Sequence, residues 1–467
     1  MLKNLRRILA VVFFASITLL FLDTTGEVHH YLGWMAKVQL LPALLAMNVI
    51  VVVALLLVTL IFGRIYCSVI CPLGVMQDII ARIEAALHPH RKRDKYTYSK
   101  AKTWLRAVFF VVMVVAIVAG VGSIMGLLAP YSSYGRMVSG IINPKMPTAV
   151  IGGVSFIIIA VLAWIGGRTY CNTVCPVGTL LGYVAKFSWF KIYIDKDACK
   201  HCRQCERKCK ASCIDISTLK VDHTRCVTCG NCLEKCQFGA LHYGHKPIVT
   251  ANASSEEVDE GRRAFLIGTA IATATAAFAQ DQKKVDGGLA QIEDKVAPKR
   301  KTAITPPGSL SAMNMARHCT GCQLCVSACP NDVLRPSTAL SSLMQPRSSF
   351  EVGYCRPECT RCSEVCPTGA IQRISKEQKA VIQTGHAVWL RWNCVPLTDN
   401  VPCGNCARHC PTGAIQMVPI EGADDKRLTI PVVNEALCIG CGACENLCPA
   451  RPLSAIYVEG HEQHAIV

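Results

Sequence analysis

The chain has 467 residues, of which 51% are hydrophobic, with a formal net charge of +17 and 29 cysteines. The odd cysteine count and the frequent Cys-x-x-Cys spacings favour metal or cluster binding over a framework of disulfides. The positive charge does not indicate nucleic-acid binding, because much of it flanks apolar segments and because clusters held by four thiolates would add negative charge.

Residues 1–190 are predicted to form an α-helical membrane domain with four spans. A span needs about 20 predominantly apolar residues, and the stretches that meet this requirement are Leu5–Leu22, Leu40–Phe62, Leu105–Leu128 and Ala149–Ile165. Lysine and arginine precede the first span and fill the loop after the second, between Arg82 and Arg106, whereas the other two connections contain little positive charge. By the positive-inside rule, both ends of this unit face the cytoplasm.

Two related motifs lie at the predicted cytoplasmic ends of the second and fourth spans. GRIYCSVICPLG (Gly63–Gly74) returns 104 residues later as GRTYCNTVCPVG (Gly167–Gly178), which indicates two duplicated helix hairpins. We expect their cysteines to converge at the inner surface, where they would hold a metal or cluster or form redox-active pairs: Cys67, Cys71, Cys171 and Cys175. The alternative is a tight, proline-ended turn packed by small residues. Arg64 and Arg168 are interpreted as anchors at the inner face.

Residues 191–250 are predicted to form a cytoplasmic ferredoxin-like α+β domain with two [4Fe-4S] clusters. Both of its cysteine runs have the spacing C-x2-C-x2-C-x3-C, in which three thiolates wrap one cluster and the fourth reaches the neighbouring cluster. The predicted ligands are Cys199, Cys202, Cys205 and Cys236 for one cluster, and Cys226, Cys229, Cys232 and Cys209 for the other. A zinc site would explain the paired cysteines but not the third and fourth cysteine of each run.

Three residues of this domain depart from the usual ferredoxin pattern. Lys210 and Gln237 follow the fourth cysteines, where ferredoxins usually have proline. This does not threaten ligation, but it leaves the cluster potentials open. Cys213 belongs to neither run and replaces a small apolar residue, so we expect it to pack in the core.

Residues 251–310 are predicted to be an export signal or anchor followed by a linker. The stretch GRRAFLIGTAIATATAAFAQ (Gly261–Gln280) resembles a twin-arginine signal, with Arg262 and Arg263 before a modestly apolar segment and a candidate cleavage site at its end. That route carries folded cargo, which suits a domain whose clusters are inserted in the cytoplasm. The alternative is a helix that ends the ferredoxin unit. The charged segment Gln280–Ser311 is interpreted as disordered.

Residues 311–467 are predicted to be a periplasmic α+β module with four more [4Fe-4S] clusters, which makes six in the chain. It contains four further cysteine runs, each followed by proline, and the second and third runs are stretched at the front. The runs are Cys319, Cys322, Cys325 and Cys329; Cys355, Cys359, Cys362 and Cys366; Cys394, Cys403, Cys406 and Cys410; and Cys438, Cys441, Cys444 and Cys448.

These motifs resemble two known families. The first 245 residues, with the spans, the two Cys-x-x-x-Cys-Pro motifs and two ferredoxin runs, resemble the NapH/MauN family of membrane ferredoxin-type proteins. Residues 261–467 resemble the NapG/MauM family, so the chain is similar to a fusion of the two. The resemblance implies that outer runs pair with outer runs and inner with inner. The implied sets are Cys319, Cys322, Cys325 with Cys448; Cys438, Cys441, Cys444 with Cys329; Cys355, Cys359, Cys362 with Cys410; and Cys394, Cys403, Cys406 with Cys366.

The resemblance also implies a function in the bacterial inner membrane. Such a protein would be a quinol dehydrogenase component that passes electrons from the membrane quinone pool to a periplasmic reductase, such as nitrate reductase, or to a cytochrome acceptor. His29 and His30, beyond the first span, are candidates for quinol proton release, although a solvated loop pair is the favoured interpretation. A different class of function, an assembly factor that supplies electrons or metal to a partner enzyme, remains open.

Several motifs are missing from the sequence, which narrows the cofactors. No Cys-x-x-Cys-His motif indicates covalent haem. No glycine-rich fingerprint or P-loop indicates a nicotinamide, flavin or ATP site. Electrons are therefore expected to enter from quinol or from a protein partner.

Overall fold

The computed structural model describes residues 2–23, 27–87, 96–142, 148–245, 293–420 and 427–466. Arg262 and Arg263 lie outside the described residues, so the export signal predicted around them stays a prediction. The same holds for residues 280–292 of the predicted linker.

The N-terminal part of the chain folds into a helical bundle, as its apolar composition predicts. Its helices are α1 Leu2–Leu22, α2 Glu27–Leu32, α3 Trp34–Lys37, α4 Leu40–Leu45, α5 Val49–Phe62, α6 Tyr66–Val69, α7 Pro72–Leu87, α8 Thr103–Ala119, α9 Gly122–Leu128, α10 Pro130–Ile142, α11 Thr148–Gly166, α12 Thr169–Thr173 and α13 Pro176–Ala185. Helix α1 contacts α6, α7 and α10, and α10 packs along α11. The two short helices α6 and α12 carry the first cysteine of each Cys-x-x-x-Cys-Pro motif.

Two of the four predicted spans form uninterrupted helices that are long and apolar enough to cross a bilayer, at Asn4–Leu22 and Ala149–Gly166. The other two stretches are broken. Met47, with a positive φ of 55°, lies between α4 and α5, and Gly120, with a φ of 69°, ends α8 before α9. Helices α5 and α8 have 14 and 17 residues, about 21 and 25 Å at a rise of about 1.5 Å per residue. Both are shorter than a hydrocarbon core of about 30 Å, so the four-span topology stays a prediction.

The outer surface of the bundle is unusually apolar. On α11, Val154, Ile157 and Ile158 are exposed, and on α8, Val111 and Val115 are exposed. Soluble monomers rarely expose continuous apolar surface of this kind, whereas lipid favours it. The surface therefore agrees with a membrane association.

Residues 191–245 form a small α+β unit. Its strands are β1 Lys191–Ile194, β2 Ile214–Asp215, β3 Lys220–Val221 and β4 Leu241–Gly244, and its helices are α14 Gln204–Arg207 and α15 Asn231–Lys235. Strand β1 pairs antiparallel with β4, and β2 pairs antiparallel with β3. The first pair joins the two ends of the unit and leaves the cysteine runs between them.

The C-terminal module is also α+β. Its helices are α16 Ala312–His318, α17 Leu324–Ser327, α18 Arg361–Val365, α19 Lys376–Val381, α20 Val395–Thr398, α21 Asn405–Arg408 and α22 Ala443–Asn446. Its strands are β5 Leu334–Pro336, β6 Pro346–Ser348, β7 Ile382–Trp389, β8 Ile415–Pro419, β9 Thr429–Val433 and β10 Ile456–Ile466. The long pair β7–β10 is antiparallel, with a register shift between Gly460 and Ala465.

The segment that precedes this module is ordered along its surface. Lys295 Nζ donates hydrogen bonds to three main-chain carbonyl oxygens between residues 445 and 448. Arg300 forms an ion pair with Glu445, whose side chain is 2% exposed, and Ile304 is buried. The disorder predicted for this segment is therefore wrong for residues 293–310, because a buried carboxylate requires the cation that this segment supplies.

The ferredoxin unit lies against the end of the bundle where α5 and α11 end. Thr228 Oγ1 and Tyr243 Oη donate to the carbonyl oxygen of Phe62, at 3.4 and 3.1 Å. The main-chain nitrogen of Arg168 donates to the carbonyl oxygen of Lys210 at 2.9 Å. These contacts fix the unit to both Cys-x-x-x-Cys-Pro repeats.

The C-terminal module lies at the other end of α1. Ser327 Oγ is 3.2 Å from Ser139 Oγ of α10. At Gly135, an added Cβ would lie 2.6 Å from both the carbonyl oxygen of Cys322 and the ring of Phe21. Asn4 of α1 lines a cavity with the ferredoxin unit, and the rise from Asn4 to Phe21 along the helix is about 25 Å. The two cysteine-rich modules are therefore separated by about 25 Å along α1.

Candidate cluster and thiol sites

The two cysteine runs of the ferredoxin unit surround two small cavities. One cavity is lined by Cys199, Cys202, Cys205 and Cys236. The other is lined by Cys209, Cys226, Cys229 and Cys232, and also by Cys213. Each run contributes its fourth cysteine to the other cavity, which is the arrangement that the ferredoxin spacing predicts. Four thiols around one cavity fit a [4Fe-4S] cluster, and the ligation itself stays a prediction.

Tight loops allow this wrapping. Arg203 and Gly230, with φ of 57° and 71°, adopt the left-handed conformation immediately before α14 and α15. The chain turns sharply there, so that the third cysteine of each run, on the short helix, faces the first two. Glycine adopts this conformation without strain, whereas an arginine there requires support from its surroundings.

Cys213 is buried, as predicted, and it also contacts two of the predicted ligands. Its Sγ lies 3.5 Å from Cys209 Sγ, and it forms a second side-chain hydrogen bond with Cys226. The hydrogen bond from the Cys213 thiol lowers the pKa of Cys209 to about 6, although burial opposes this shift. Cys213 therefore acts on the thiols of the second group, which its sequence position alone did not indicate.

The four Cys-x-x-x-Cys-Pro cysteines converge and are buried within the bundle, and their position at the inner surface of the membrane stays a prediction. Their exposed fractions are 3 to 4% and they belong to one hydrophobic core: Cys67, Cys71, Cys171 and Cys175. They lie close enough for the charge on one to act on the others. Gln77 Nε2 donates to Cys171 Sγ at 3.2 Å and Gly178 N donates to Cys175 Sγ at 3.3 Å. N–H donors directed at sulfur are the contacts that tune iron–sulfur sites.

The arginines of the two motifs are exchanged between the repeats. Arg64 and Arg168 are fully buried, so the prediction that they are inner-face anchors is wrong. Arg168 Nη1 donates to the carbonyl oxygen of Cys67 at 2.6 Å, and Arg64 Nη2 donates to that of Cys171 at 3.4 Å. Each guanidinium therefore crosses to the other repeat and places positive charge beside its cysteine turn.

Arg168 has a buried counter-ion. Arg168 Nε donates to Asp78 Oδ1 at 2.7 Å, and Lys210 Nζ contacts the other carboxylate oxygen. Burial would raise the pKa of Asp78, but Arg168 and Lys210 hold it well below its usual range. Lys210 is 5% exposed and immediately follows Cys209. The lysine that replaces the usual ferredoxin proline thus ties the second cysteine group to the bundle.

In the C-terminal module, consecutive cysteine runs pair. The charge of Cys366 acts on the first three cysteines of the first run, and the charge of Cys329 acts on Cys355 and Cys362 of the second. The same exchange joins the last two runs, in which Cys448 acts on Cys394 and Cys406, and Cys410 acts on Cys438 and Cys441.

The pairing of outer with outer and inner with inner runs is therefore wrong. Cys366 instead of Cys448 lies beside the first group, and Cys329 instead of Cys410 lies beside the second. Ligation of clusters by these groups stays a prediction. In the last two groups Cys448 takes the place assigned to Cys366, and Cys410 that assigned to Cys329. The physical reason is that consecutive runs pack against each other. Helix α17 contacts α18 and α21 contacts α22, and Cys362 and Cys366 pack against Cys319.

Further contacts link the neighbouring groups. Cys355 N donates to the carbonyl oxygen of Cys441 at 2.9 Å, which joins the two halves of the C-terminal module. Arg136, which is 1% exposed, lies in electrostatic range of both Cys322 and Tyr170. Tyr170 in turn adjoins the thiols of its own motif. At the other end, Arg64 lies 3.8 Å from Cys67 Sγ and donates to the carbonyl oxygen of Thr224, two residues before Cys226.

His29 and His30 differ from each other. His30 is exposed and its ring meets that of Tyr31 edge-on at 5.0 Å. His29 Nδ1 lies 3.6 Å from Asp23 Oδ2, and its side chain is 10% exposed. Burial lowers the pKa of His29, while Asp23 opposes this shift. The interpretation as a solvated pair is thus wrong for His29, and a role in quinol oxidation stays a prediction for both.

Sequence reasoning missed Gln77 and Asp78 of the bundle site. It noted Lys210 but did not predict its contact with Asp78. One signal was available, because Asp78 is an acidic residue only seven positions after Cys71 in an otherwise apolar repeat. A single-ion site is a separate matter. Among the described ranges, no group of three or more His, Cys, Asp or Glu side chains is arranged to hold one metal ion.

Three family models match the chain. A 4Fe-4S binding domain matches residues 44–95 and 148–194, which include both Cys-x-x-x-Cys-Pro motifs. One 4Fe-4S dicluster domain matches residues 401–451, which include the cysteines of the last two runs except Cys394, and another matches residues 222–333. This is a multidomain 4Fe-4S ferredoxin-type protein. Iron–sulfur clusters are accordingly its cofactors.

Relatives of this ferredoxin-type protein agree with that assignment. It is 26% identical over 203 residues to the putative electron transport protein YccM of Escherichia coli, which is 42% of this chain and 55% of the relative. It is 26% identical to the methylamine utilization ferredoxin-type protein MauN of Paracoccus denitrificans, over 37% of this chain and 57% of the relative. It is 31% identical to the corresponding MauM of Methylobacillus flagellatus, over 33% and 66%.

The chain thus spans between 55 and 66% of the length of these relatives. The resemblance to MauN- and MauM-type proteins is confirmed at the level of homologous ferredoxin-type proteins, and the fusion of the two stays a prediction. Together with the two apolar helices, these relatives indicate a membrane association. No solved structure matches the chain.

Proposed function

We propose that this protein conducts electrons from membrane quinol to an acceptor on the other side of the bilayer, a periplasmic reductase of the nitrate-reductase kind or a cytochrome. In this proposal the ferredoxin unit is cytoplasmic, the C-terminal module is periplasmic, and the chain is an integral protein of the bacterial inner membrane. The protein then catalyses quinol oxidation and no other substrate chemistry.

The observation that carries the proposal is a hydrophobic core that the bundle shares with cysteines of both cysteine-rich modules. The thiol quartet Cys67, Cys71, Cys171 and Cys175 and the thiol of Cys322 are buried in it, and Cys229 and Cys325 pack against it. A separate soluble ferredoxin and polyferredoxin would not need cysteines in a common core with a helix bundle. An electron relay between the two modules does need such cysteines.

The residues of the chain have distinct roles in this relay. The six ferredoxin-type groups would hold [4Fe-4S] clusters, and each cluster accepts and releases one electron at a time. Arg64 and Arg168 offset the negative charge of the buried thiol quartet, and Gln77 donates a hydrogen bond to it. The bundle excludes water around the quartet, which strengthens these electrostatic contacts.

Reduction of the purified protein by quinol tests the proposal. Full-length protein with its complete iron content is mixed anaerobically with decylubiquinol, and cluster reduction is followed by absorbance and EPR. We expect the quinol to reduce the clusters after mixing, so that their visible absorbance decreases. If dithionite reduces the clusters but the quinol does not, the quinol dehydrogenase function is wrong.

Sidedness is tested in cells. Residues beyond 311 are expected to be accessible to protease and thiol reagents in intact spheroplasts, and residues 191–245 only after lysis. Protection of both regions in spheroplasts would contradict a relay across the membrane. Artificial electron donors should restore partner activity in a deletion strain, since an assembly factor would instead leave its partner inactive with such donors.

A further inference from the structure

We propose that quinol binds in a cavity between the bundle and the ferredoxin unit, with Arg6 as the hydrogen-bond donor to its ring oxygen. The inference deepens the proposed function and rests on it, because it locates the substrate of the same electron relay. It places the quinol at the α5 end of the bundle, away from His29 and His30.

The cavity has the size and composition of a site for an apolar cofactor or substrate. Its volume is about 990 Å³, at the upper end of the roughly 300–1,000 Å³ of small-molecule sites. Residues from both modules line it, among them Arg6, Phe62 and Ile65 of the bundle and Cys229, His242 and Tyr243 of the ferredoxin unit.

Aromatic rings form one wall. Phe62 and Phe190 stack with centroids 5.9 Å apart and an interplanar angle of 10°. The ring centroids of Tyr243 and Phe190 are also 5.9 Å apart. A planar quinol ring packs well on such a surface, because offset stacking and apolar burial act together.

Arg6 supplies an unsatisfied polar group. Its side chain is 7% exposed, and Nη1 donates to the carbonyl oxygen of Ser68 at 3.1 Å. Nε and Nη2 are buried without a hydrogen-bond partner in the described part of the chain. Other buried arginines of the described residues also have unpaired N–H groups, but Arg6 is the one among them that lines this cavity. A ligand oxygen in the cavity would satisfy its free N–H groups.

Cys229 places the cavity beside a cluster. It is one of the four thiols of the second ferredoxin group, and it lies in electrostatic range of Arg6. A quinol held by Arg6 would therefore be adjacent to the group that receives its electrons. Phe62 and Ile65 of the bundle line the same cavity as Cys229.

The rim of the cavity is suited to an isoprenoid tail and to proton release. Phe62 and Leu5 are 42% and 56% exposed on the apolar surface of the bundle. Glu234 and His242 lie at the exposed side of the ferredoxin unit. Oxidation of one quinol breaks two O–H bonds and yields a quinone, two protons and two electrons. The protons would leave past the exposed His242 to water, and the two electrons would pass one each to the clusters that the two cysteine groups of the ferredoxin unit would hold.

The test measures ligand binding separately from turnover. The probe is 2-heptyl-4-hydroxyquinoline N-oxide, a fluorescent quinol analogue whose emission is quenched on binding, and the protein is the full-length, cluster-loaded chain in nanodiscs. We expect one site per chain, and Arg6→Gln should weaken binding roughly tenfold or more because a charged hydrogen bond is lost. Arg7→Gln is the matched control, since Arg7 is the adjacent arginine and does not line the cavity. Ile65→Trp, which fills the cavity without a charge change, should also weaken binding.

Cluster reduction by decylubiquinol is measured on the same variants. Arg6→Gln should slow it while leaving dithionite reduction and iron content unchanged. If Arg6→Gln and Ile65→Trp bind and react like Arg7→Gln while the wild type is reduced by quinol, the site is wrong and the proposed function stands. If the wild type neither binds the analogue nor is reduced, both fail. Displacement of the analogue by phosphatidylglycerol vesicles but not by excess decylubiquinone would overturn the assignment in favour of a lipid headgroup.

Discussion

The two Cys-x-x-x-Cys-Pro repeats share a frame but differ in how they hold the ferredoxin unit. In both, the guanidinium crosses to the other repeat, and a glycine after the proline makes room for it. An added Cβ would lie 3.0 Å from Arg168 Nη1 at Gly74 and 2.8 Å from Arg64 Nη2 at Gly178. The first repeat then has Asp78, whereas the second has Gly182 at the equivalent position.

This difference gives the two repeats different docking chemistry. In the first repeat, Asp78 pairs with Lys210, next to Cys209. In the second, a Cβ at Gly182 would lie 2.4 Å from the carbonyl oxygen of Thr224, so the glycine allows the segment before Cys226 to approach. One repeat uses a buried ion pair and the other uses close backbone contact. The two repeats thus form a nearly symmetric thiol site, and they bind the ferredoxin unit through different contacts.

The largest expected effect is from Arg168→Gln. It removes a partner of the buried Asp78, and breaking a buried ion pair costs about 3–5 kcal/mol of folding stability. Arg64→Gln is the matched variant in the other repeat. Its partners are an amide and carbonyl oxygens, and loss of such bonds costs about 1–3 kcal/mol. Thermal unfolding of both proteins in the same detergent measures the difference, and equal losses would show that Asp78 does not distinguish the repeats.

Gly74→Ala and Gly178→Ala test the shared frame. The added methyl groups would lie 2.3 and 2.4 Å from the carbonyl oxygens of Cys67 and Cys171, and such overpacking costs about 1–3 kcal/mol. Since the geometry is the same, we expect similar losses of thermal stability in the two variants.

Gly153→Ala is the control for these variants. It lies within α11 and an added Cβ would meet nothing within 4 Å. The change should be neutral or should stabilise the helix by up to about 1 kcal/mol. A large loss here, or a loss at only one of the two motif glycines, would contradict the symmetric frame.

Lys210→Met tests the docking contact of the first repeat. The variant keeps the side-chain length but leaves Asp78 with Arg168 alone, so we expect a loss of about 1–3 kcal/mol and faster proteolysis between bundle and ferredoxin unit. Gln237→Met is the control, because Gln237 follows the fourth cysteine of the other run and is exposed. If both substitutions have the same small effect, Lys210 does not fasten the unit.

Spacing predicted the site well where the determinants are local. The exchange of Cys209 and Cys236 between two cavities follows from C-x2-C-x2-C-x3-C, because the fourth cysteine lies one turn beyond the loop. The groups that Cys366 and Cys448 join were predicted wrongly. Each assignment depends on which runs pack together, and the predicted one was carried over from a family resemblance. Cysteine spacing predicted the class of cofactor, and tertiary packing decided which runs share a site.

The sequence alone could not predict the burial of Arg64 and Arg168, for a related reason. Arginine after an apolar helix usually marks a membrane interface. Here the chain continues into a second buried helix in each repeat, and the guanidinium meets carbonyl oxygens that only the other repeat provides. The ordered residues 293–310 are similar, because their basic side chains are satisfied by Glu445 and by carbonyl groups far away in sequence.

The smallest effect is expected from Gln77→Leu, which gives the first repeat the residue that the second has at Leu181. The variant loses the hydrogen bond from Gln77 Nε2 to Cys171 Sγ but keeps an apolar contact of similar size, so the change in folding stability should be below about 1 kcal/mol. A hydrogen bond to sulfur favours the reduced, more negative state of a redox site. The midpoint potential of the bundle site should therefore fall in an EPR-monitored titration, with the signal identified by its absence in Cys171→Ala. An unchanged potential would mean that the two repeats are equivalent at the thiols, and that their asymmetry serves only to dock the ferredoxin unit.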